Sequence, residues 1–241
     1  MTKNVVIAQF LTNMYDTQRG QILQNVDATD ITKDLYESVA RFDTELHTII
    51  NFKNPTTPPP LEKLITVEPF KHYLNNKLYF LRWEVTFDYL LKHPEINKAA
   101  LVDAGDVEMM SYPFDDINEE IIYVGDEYSD LTDSIVINDI KPPYLNNFIQ
   151  KNRHLQLLNA GVLIGTRKTL LEFLAILIKL IVEDARNKKF YPDQDHLGNL
   201  EMSLINYVLY RFFPDRIQHG RKITNKFKYD DRDSQAWFKH K

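Results

Sequence analysis

Two aspartates follow directly on a short apolar run near the middle of the chain. Residues 99–102 read Ala-Ala-Leu-Val, and Asp103, Ala104, Gly105 and Asp106 come next. A run of this length predicts a buried strand that ends at two carboxylates. The carboxylates repel each other unless a divalent cation, an arginine or a shared proton lies between them, and their hard oxygens favour Mg2+ or Mn2+. The alternative is a solvated acidic turn, because short acidic motifs often occur by chance.

The composition limits the classes of protein to which the chain can belong. Its 241 residues, 44% of them hydrophobic, can form one large domain or a domain with a subdomain. The absence of cysteine excludes disulfides, thiolate nucleophiles, zinc fingers and iron–sulfur clusters. A net charge of −5 gives no general attraction to a polyanion such as nucleic acid. No export signal or membrane-spanning run is visible, and we expect a cytoplasmic protein.

The elements that must position the two acids alternate along the chain. Strands are predicted at residues 4–11, 46–52, 99–102, 121–124 and 158–164, helices at 28–42, 78–91, 168–187 and 196–212, and loops at 54–60 and 126–139. This alternation predicts an α/β sandwich with a largely parallel sheet, in which ligands bind at the carboxyl ends of the strands. The sequence contains neither the glycine-rich dinucleotide motif nor a P-loop.

Further motifs follow the acidic pair in a fixed order. They are Arg82 before the acidic strand, Tyr112-Pro113-Phe114 after it, Asn159-Ala160-Gly161, Asp193-Gln194-Asp195 and His219-Gly220-Arg221-Lys222. Together with Asp103 and Asp106, this order resembles that of GT-A-type glycosyltransferases. The resemblance is closest to the glycogenin-like and galactosyltransferase-like retaining branch and its small bacterial or phage relatives, and it covers residues 4–222.

The resemblance implies a fold and a division of labour along the chain. The fold would be a GT-A-type, Rossmann-like α/β/α sandwich with a mostly parallel central sheet. Residues 1–222 would form one catalytic domain, with a nucleotide-sugar half at about 1–110 and an acceptor half at about 111–222. The basic tail, residues 223–241, would be a lid over the bound donor, and a solvated tail is the alternative.

The resemblance also implies a divalent cation, Mn2+ or Mg2+, on the donor diphosphate. Its ligands would be Asp106, His219 and Asp103. One residue usually separates the acids of this motif, whereas two separate them here, which displaces Asp103 and allows it to contact ribose or a metal-bound water instead. Without a cation, Arg221 and Lys222 would neutralise the diphosphate.

Other residues are expected to contact the nucleotide and the sugar. Gln9, Arg19 and Arg82 resemble nucleotide contacts, with ordinary surface solvation or a helix-surface ion pair as the alternative. Asn159, Ala160 and Gly161 resemble the strand that lines the sugar pocket, where the glycine lets the sugar approach the backbone. A strand bulge or tight packing would equally require that glycine.

The Asp193-Gln194 pair resembles the residues beside the reacting sugar. In a retaining enzyme either residue would face the anomeric carbon, whereas in an inverting enzyme Asp193 or Asp195 would be the general base. The alternative is capping of the helix that follows, because an acid is favourable at a helix N-terminus.

The resemblance therefore implies transfer of a monosaccharide from a nucleoside-diphosphate sugar, with UDP as the first expectation, to a hydroxyl group. The acceptor would be a glycan, a lipid-linked sugar, a protein or a modified nucleobase. Two other classes remain. A sugar-nucleotide nucleotidyltransferase should have a glycine-rich basic loop after the first strand, which residues 11–15 lack. The other class is a sugar-binding protein without catalysis.

Overall fold

A seven-stranded sheet forms the centre of the fold in the computed structural model, which describes residues 2–24, 26–68, 77–226 and 235–240. The strand order is β10-β8-β9-β6-β1-β4-β5. These strands are β1 (Lys3–Phe10), β4 (Glu45–Ile50), β5 (Glu62–Thr66), β6 (Ile96–Asp103), β8 (Ile122–Asp130), β9 (Gln156–Thr166) and β10 (Ile217–His219). β9 runs antiparallel to its neighbours β6 and β8, and the other neighbouring strands run parallel.

Helices cover one face of this sheet. The helices of the described residues are α1 (Ala28–Ile31), α2 (Lys33–Ala40), α3 (Leu78–Lys92), α4 (Ser134–Ile137), α5 (Pro143–Lys151), α6 (Arg167–Phe190) and α7 (Met202–Phe212). Apolar side chains of α3, α5, α6 and α7 form the core on this face, among them Trp83, Ile149, Phe173 and Leu204.

The opposite face packs against α2 and a three-stranded sheet of order β11-β12-β7. Its strands are β7 (Val107–Met109), β11 (Thr224–Lys226) and β12 (Phe238–His240). Leu35 and Val39 of α2 meet Met109, Trp237 and Phe238 in this second core, where all five are buried. A separate two-stranded ribbon is formed by β2 (Tyr15–Asp16) and β3 (Gln21–Ile22).

The strand that carries the acids is central because it is apolar on both sides. Ala99 and Leu101 belong to the core under α3 and α6, and Ala100 and Val102 belong to the core under α2. A strand that is buried on both faces reads as a continuous apolar run, which is how residues 99–102 appear in the sequence. The strand lies between β1 and β9 and delivers Asp103 to the edge of the sheet.

The predicted α/β architecture with a mostly parallel sheet flanked by helices is confirmed. Several details differ from the predicted elements, among them two helices, α1 and α2, in place of one over residues 28–42. The acidic segment after residue 124 continues β8 to Asp130, because its backbone pairs with β9. The final helix begins at Met202 and not at residue 196, and β5 and α5 were not predicted. β5 is a polar edge strand with weak apolar alternation, which explains why its sequence gave little indication of a strand.

The expected lid, residues 223–241, is described only in part. Residues 227–234 and 241 of the expected lid lie outside the described part of the chain. Trp237 and Phe238, in the same segment, are core residues.

Among the described residues, no helix is both long enough and apolar enough to cross a bilayer.

Candidate functional site

Asp103 and Asp106 lie where β6 passes into β7. Asp103 is the last residue of β6 and pairs in register with Gln9, near the end of the parallel strand β1. Residues 104–106 form a turn, and β7 starts at Val107. The acids therefore lie at the carboxyl ends of parallel strands, where open α/β sheets bind their ligands.

The imidazole that meets these acids belongs to His240. β12 pairs antiparallel with β7, and this register sets His240 opposite Val107, next to Asp106. Nε2 of His240 lies 3.5 Å from Oδ2 of Asp103 and 3.8 Å from Oδ2 of Asp106. One ligand atom from each of the three residues lies within 4.8 Å of the others, which is a spacing that could hold a metal ion. The imidazole is buried, with an exposed side-chain fraction of 5%.

The ring of His240 lies against the backbone of Gly161 in β9. A β-carbon at position 161 would come within 2.6 Å of both ring nitrogens. The close approach expected at this glycine is present, but the group that approaches is the imidazole of this chain. Gly161 thus makes room for His240.

Arg82 of α3 holds Asp103 from the other side. Its Nη1 donates to Oδ1 of Asp103 at 2.6 Å, and its Nη2 lies 3.2 Å from Oε1 of Glu201. The guanidinium also lies over the ring of Trp83, with a centroid distance of 4.4 Å. Burial opposes ionisation of Asp103, but Arg82 and His240 together hold its pKa well below its usual range. Asp103 is therefore a carboxylate with its second oxygen turned towards His240.

Asp106 and Glu201 are less well compensated. Burial and the charge of Asp103 raise the pKa of Asp106, and the opposing charges of His240, Arg19 and Arg82 do not offset them. Burial raises the pKa of Glu201 to about 7 against the attraction of Arg82. The site thus gathers three carboxyl groups, of which that of Glu201 is buried and those of Asp103 and Asp106 are partly exposed, and a bound cation would offset their charge.

Asp103, Asp106 and Arg82 border a cavity of about 130 Å3 at the same sheet edge. Its lining includes five residues that the sequence assigned to the nucleotide or the metal, namely Gln9, Arg19, Arg82, Asp103 and Asp106. Nε2 of Gln9 and Nε of Arg82 are buried there and have no hydrogen-bond partner among the described residues. Buried donors without a partner are uncommon, and an oxygen acceptor close to either of them would satisfy it.

Asp16 shapes the loop that carries Arg19. Its Oδ1 accepts hydrogen bonds from the backbone N–H of Gln18 at 2.9 Å and of Arg19 at 3.0 Å. The hydroxyl of Tyr79 donates to the same oxygen at 2.7 Å. Asp16 and Tyr79 both line the cavity, so the loop is fixed by residues that belong to the site.

The prediction of His219 as a metal ligand is corrected. His219 ends β10, which is separated from β6 by β8 and β9. Its Nδ1 lies 2.9 Å from Oδ2 of Asp126, and it is not part of the cluster of Asp103, Asp106 and His240. Neighbouring strands are about 4.8 Å apart, so three strand spacings place β10 roughly 14 Å from β6.

The Asn159-Ala160-Gly161 segment does not line the cavity either. Oδ1 of Asn159 accepts the backbone N–H of Gly161 at 2.8 Å, and its Nδ2 donates to Oε1 of Glu127. Ala160 is buried in the core. The register of β9 against β8 shifts at this point, so the bulge that was the alternative interpretation is present.

Four further predicted residues lie elsewhere. Asp193 and Gln194 are exposed, and Gln194 lines a different cavity. Arg221 lies over the ring of Tyr128, and Lys222 forms an ion pair with Asp116 at 2.8 Å. These four do not line the cavity around Asp103.

The sequence interpretation missed four residues of the site. Asp16, followed by Gly20 after a polar turn, fits an Asx turn and could have been recognised. Glu201 directly precedes a helix, where an acid is unremarkable. Tyr79 gave no indication beyond its position in a helix. His240 was one of two histidines in the basic region after residue 215, and the motif order favoured the wrong one.

The donor set fits a divalent cation. Two carboxylates and one imidazole suit Mn2+ somewhat better than Mg2+, which prefers oxygen ligands and water. Zn2+ is also compatible with such a set, so the geometry alone does not select the ion.

Comparisons with known proteins do not identify a family for this site. A scan against protein-family models gives no match, and a search of curated proteins gives no significant match.

Proposed function

We propose that this protein is a glycosyltransferase that uses a divalent cation to act on a nucleoside-diphosphate sugar, with UDP as the nucleotide. The observation that supports the proposal most is the set of residues that meet at the cavity. Its lining unites Gln9, Arg19 and Arg82 with the acids that also meet His240. A mostly parallel sheet with paired acids at the end of β6 agrees with a GT-A-type arrangement.

The charges of the cavity favour a ligand that arrives with a cation. A diphosphate is strongly anionic, and Asp16, Asp103 and Asp106 would repel it although two arginines line the same cavity. Mn2+ or Mg2+ bound by Asp103, Asp106 and His240 would remove this repulsion and offset the charge that develops on the departing diphosphate.

Other residues of the cavity would orient the metal ligands and contact the nucleotide. Arg82 holds Asp103 ionised and fixes its direction, so the carboxylate is preorganised. Asp16 fixes the loop from which Arg19 reaches the cavity. The buried amide of Gln9 offers a donor to the bound nucleotide.

The residues that line the cavity would bind the donor of the reaction. Asp193 and Gln194 are not included, because neither lines the donor cavity. Transfer with retention of configuration remains the expectation from the resemblance. The acceptor would be a hydroxyl group.

Donor hydrolysis tests the proposal. The purified protein is incubated with UDP-glucose, UDP-galactose, UDP-N-acetylglucosamine or GDP-mannose, with Mn2+ or with a chelator, and products are separated by chromatography. We expect Mn2+-dependent release of the nucleoside diphosphate from at least one donor, and its loss in Asp106→Ala. Asp88→Ala, which removes an exposed acid of α3, is the matched control.

The products also separate the alternatives. Formation of a nucleoside triphosphate from pyrophosphate and the donor would favour a nucleotidyltransferase and contradict the proposal. Nucleotide binding with no hydrolysis or transfer on any donor would favour a binding protein and contradict it too.

A further inference from the structure

A second cavity, of about 330 Å3, lies between α5, α6, α7 and the segment of residues 194–196. We name it the aromatic groove, and its walls include Pro143, Tyr144, Glu183, Asn187, Asp195 and Tyr207. Its volume falls at the lower end of the range that is typical of ligand pockets, roughly 300 to 1,000 Å3. None of the residues assigned to the donor site lines it.

Tyrosine rings form the apolar wall of the aromatic groove. Tyr144 and Tyr207 meet edge to face, with ring centroids 5.3 Å apart. Phe148 and Phe212 pack on Tyr207 at 5.1 and 5.9 Å, which fixes this ring in place. Tyr144 nevertheless remains 38% exposed. A rigid aromatic wall that stays open to solvent suits a ligand with an apolar face.

The polar side chains of the groove include carboxylates and amides. Glu183 and Asp195 provide carboxylates, and Asn187 and Gln194 provide amides that both donate and accept. No lysine or arginine is among the described residues that line it. The carboxylates of the groove therefore repel phosphates and other anions. The hydroxyl groups of a ligand, in contrast, could donate hydrogen bonds to the carboxylates and both donate to and accept from the amides.

The loop that closes the groove is held by a buried histidine. His196 is 8% exposed, its Nδ1 lies 3.2 Å from Oδ1 of Asp184, and its Nε2 lies 2.9 Å from the carbonyl of Tyr191. Oδ2 of Asp184 accepts the backbone N–H of Leu197 at 3.1 Å. The same segment runs on to Glu201, which meets Arg82 in the donor site. A wall fixed in advance reduces the cost of ordering on binding.

We propose that the aromatic groove binds a neutral saccharide and that this saccharide belongs to the acceptor of the transfer reaction. Rings of the sugar would pack their C–H faces on Tyr144, and its hydroxyls would bond to the carboxylates and amides. The choice of a saccharide rests on the proposed function, and the position of the site rests on the groove alone.

A printed array of neutral, acidic and amino-bearing glycans tests the inference on the full chain. We expect at least one neutral glycan to bind, and calorimetry then gives its affinity. Tyr144→Ala and Asp195→Asn should each weaken this affinity by about fivefold or more, since each removes one contact. Tyr128→Ala removes an exposed tyrosine of β8 outside the groove and should leave it unchanged. Circular dichroism checks that each variant is folded.

The remaining outcomes separate this inference from the proposed function. Binding of acidic or amino-bearing glycans only, or of none, would overturn the saccharide site. Equal loss in Tyr128→Ala would also overturn it. Asp106→Ala should keep the glycan affinity, because Asp106 lies in the donor site. A protein that hydrolyses a donor but binds no neutral glycan would contradict this inference alone, and the reverse result would contradict the donor proposal alone.

Discussion

The imidazole of His240 occupies the space that a side chain at Gly161 would fill. The two residues lie far apart in the sequence, on β12 and β9, and the contact exists because β12 pairs with β7 beside Asp106. The absence of a side chain at one position therefore decides where a candidate metal ligand lies.

Gly161→Ala should displace the imidazole from the acids. The added methyl group cannot fit, since its carbon would lie 2.6 Å from both ring nitrogens. We expect a loss of about 1 to 3 kcal/mol in the free energy of unfolding. We also expect Mn2+ affinity to fall about tenfold or more, as when a ligand loses its correct orientation. Urea unfolding and calorimetry with Mn2+ measure the two effects.

Gly165→Ala is the matched control on the same strand. A β-carbon there would meet its nearest neighbour at 3.4 Å, which is close to ordinary contact. It should leave Mn2+ affinity unchanged. Unchanged Mn2+ affinity in Gly161→Ala would mean that His240 does not need this space.

Arg82→Leu should be among the most destabilising substitutions in the site. Arg82 meets both Asp103 and Glu201, and its loss would leave the buried carboxyl group of Glu201 without a cation and Asp103 with His240 alone. Removing one partner of a buried ion pair typically costs about 3 to 5 kcal/mol. Glu201→Gln should lower the free energy of unfolding much less, because Arg82 keeps its ion pair with Asp103. Urea unfolding of both variants measures these losses in free energy. Small and equal losses would contradict the prediction, because they would show that the ion pairs of Arg82 contribute little to stability.

Glu84 should make the fold less stable as the pH rises. Burial raises its pKa from 4.5 to about 7, and its Oε1 has no hydrogen-bond partner among the described residues. Below pH 4.5 both the folded and the unfolded chain carry it protonated. As the pH rises to 7, only the unfolded chain ionises, so stability falls by about 3 kcal/mol in total.

Glu84→Gln should remove this dependence. The stability gained by the variant over the parent chain should grow between pH 4.5 and 7 and then level off. Glu201 also has a pKa of about 7, but it is present in both proteins and cancels in the difference. A difference that stays constant with pH would contradict the assignment to Glu84.

The central strands of the sheet could be predicted from the sequence because they are continuous apolar runs. β1 and β6 could be recognised in this way, and the residue at the end of β6 could be assigned to the ligand edge. The sequence also grouped Gln9, Arg19 and Arg82 with the two acids, and all five residues line one cavity at that edge.

The choice of histidine could not be predicted from the order of motifs. His219 and His240 both follow the last long helix, and only the pairing of β12 with β7 brings His240 to the acids. Pairing between short strands distant in sequence depends on tertiary packing, here of Trp237 and Phe238 in the second core. For a similar reason the sequence could not show that the amide of Asn159 bonds within the bulge of β9, where its Oδ1 accepts the backbone N–H of Gly161.

Titration with Mn2+, followed by electron paramagnetic resonance, tests the central claim most directly. The claim is that Asp103, Asp106 and His240 together hold a divalent cation. We predict one bound Mn2+ in the parent chain and a loss of affinity of about tenfold or more in Asp106→Ala and in His240→Ala. His219→Ala, the matched histidine control, should bind as the parent chain does. Loss of binding in His219→Ala with full binding in His240→Ala would contradict the account.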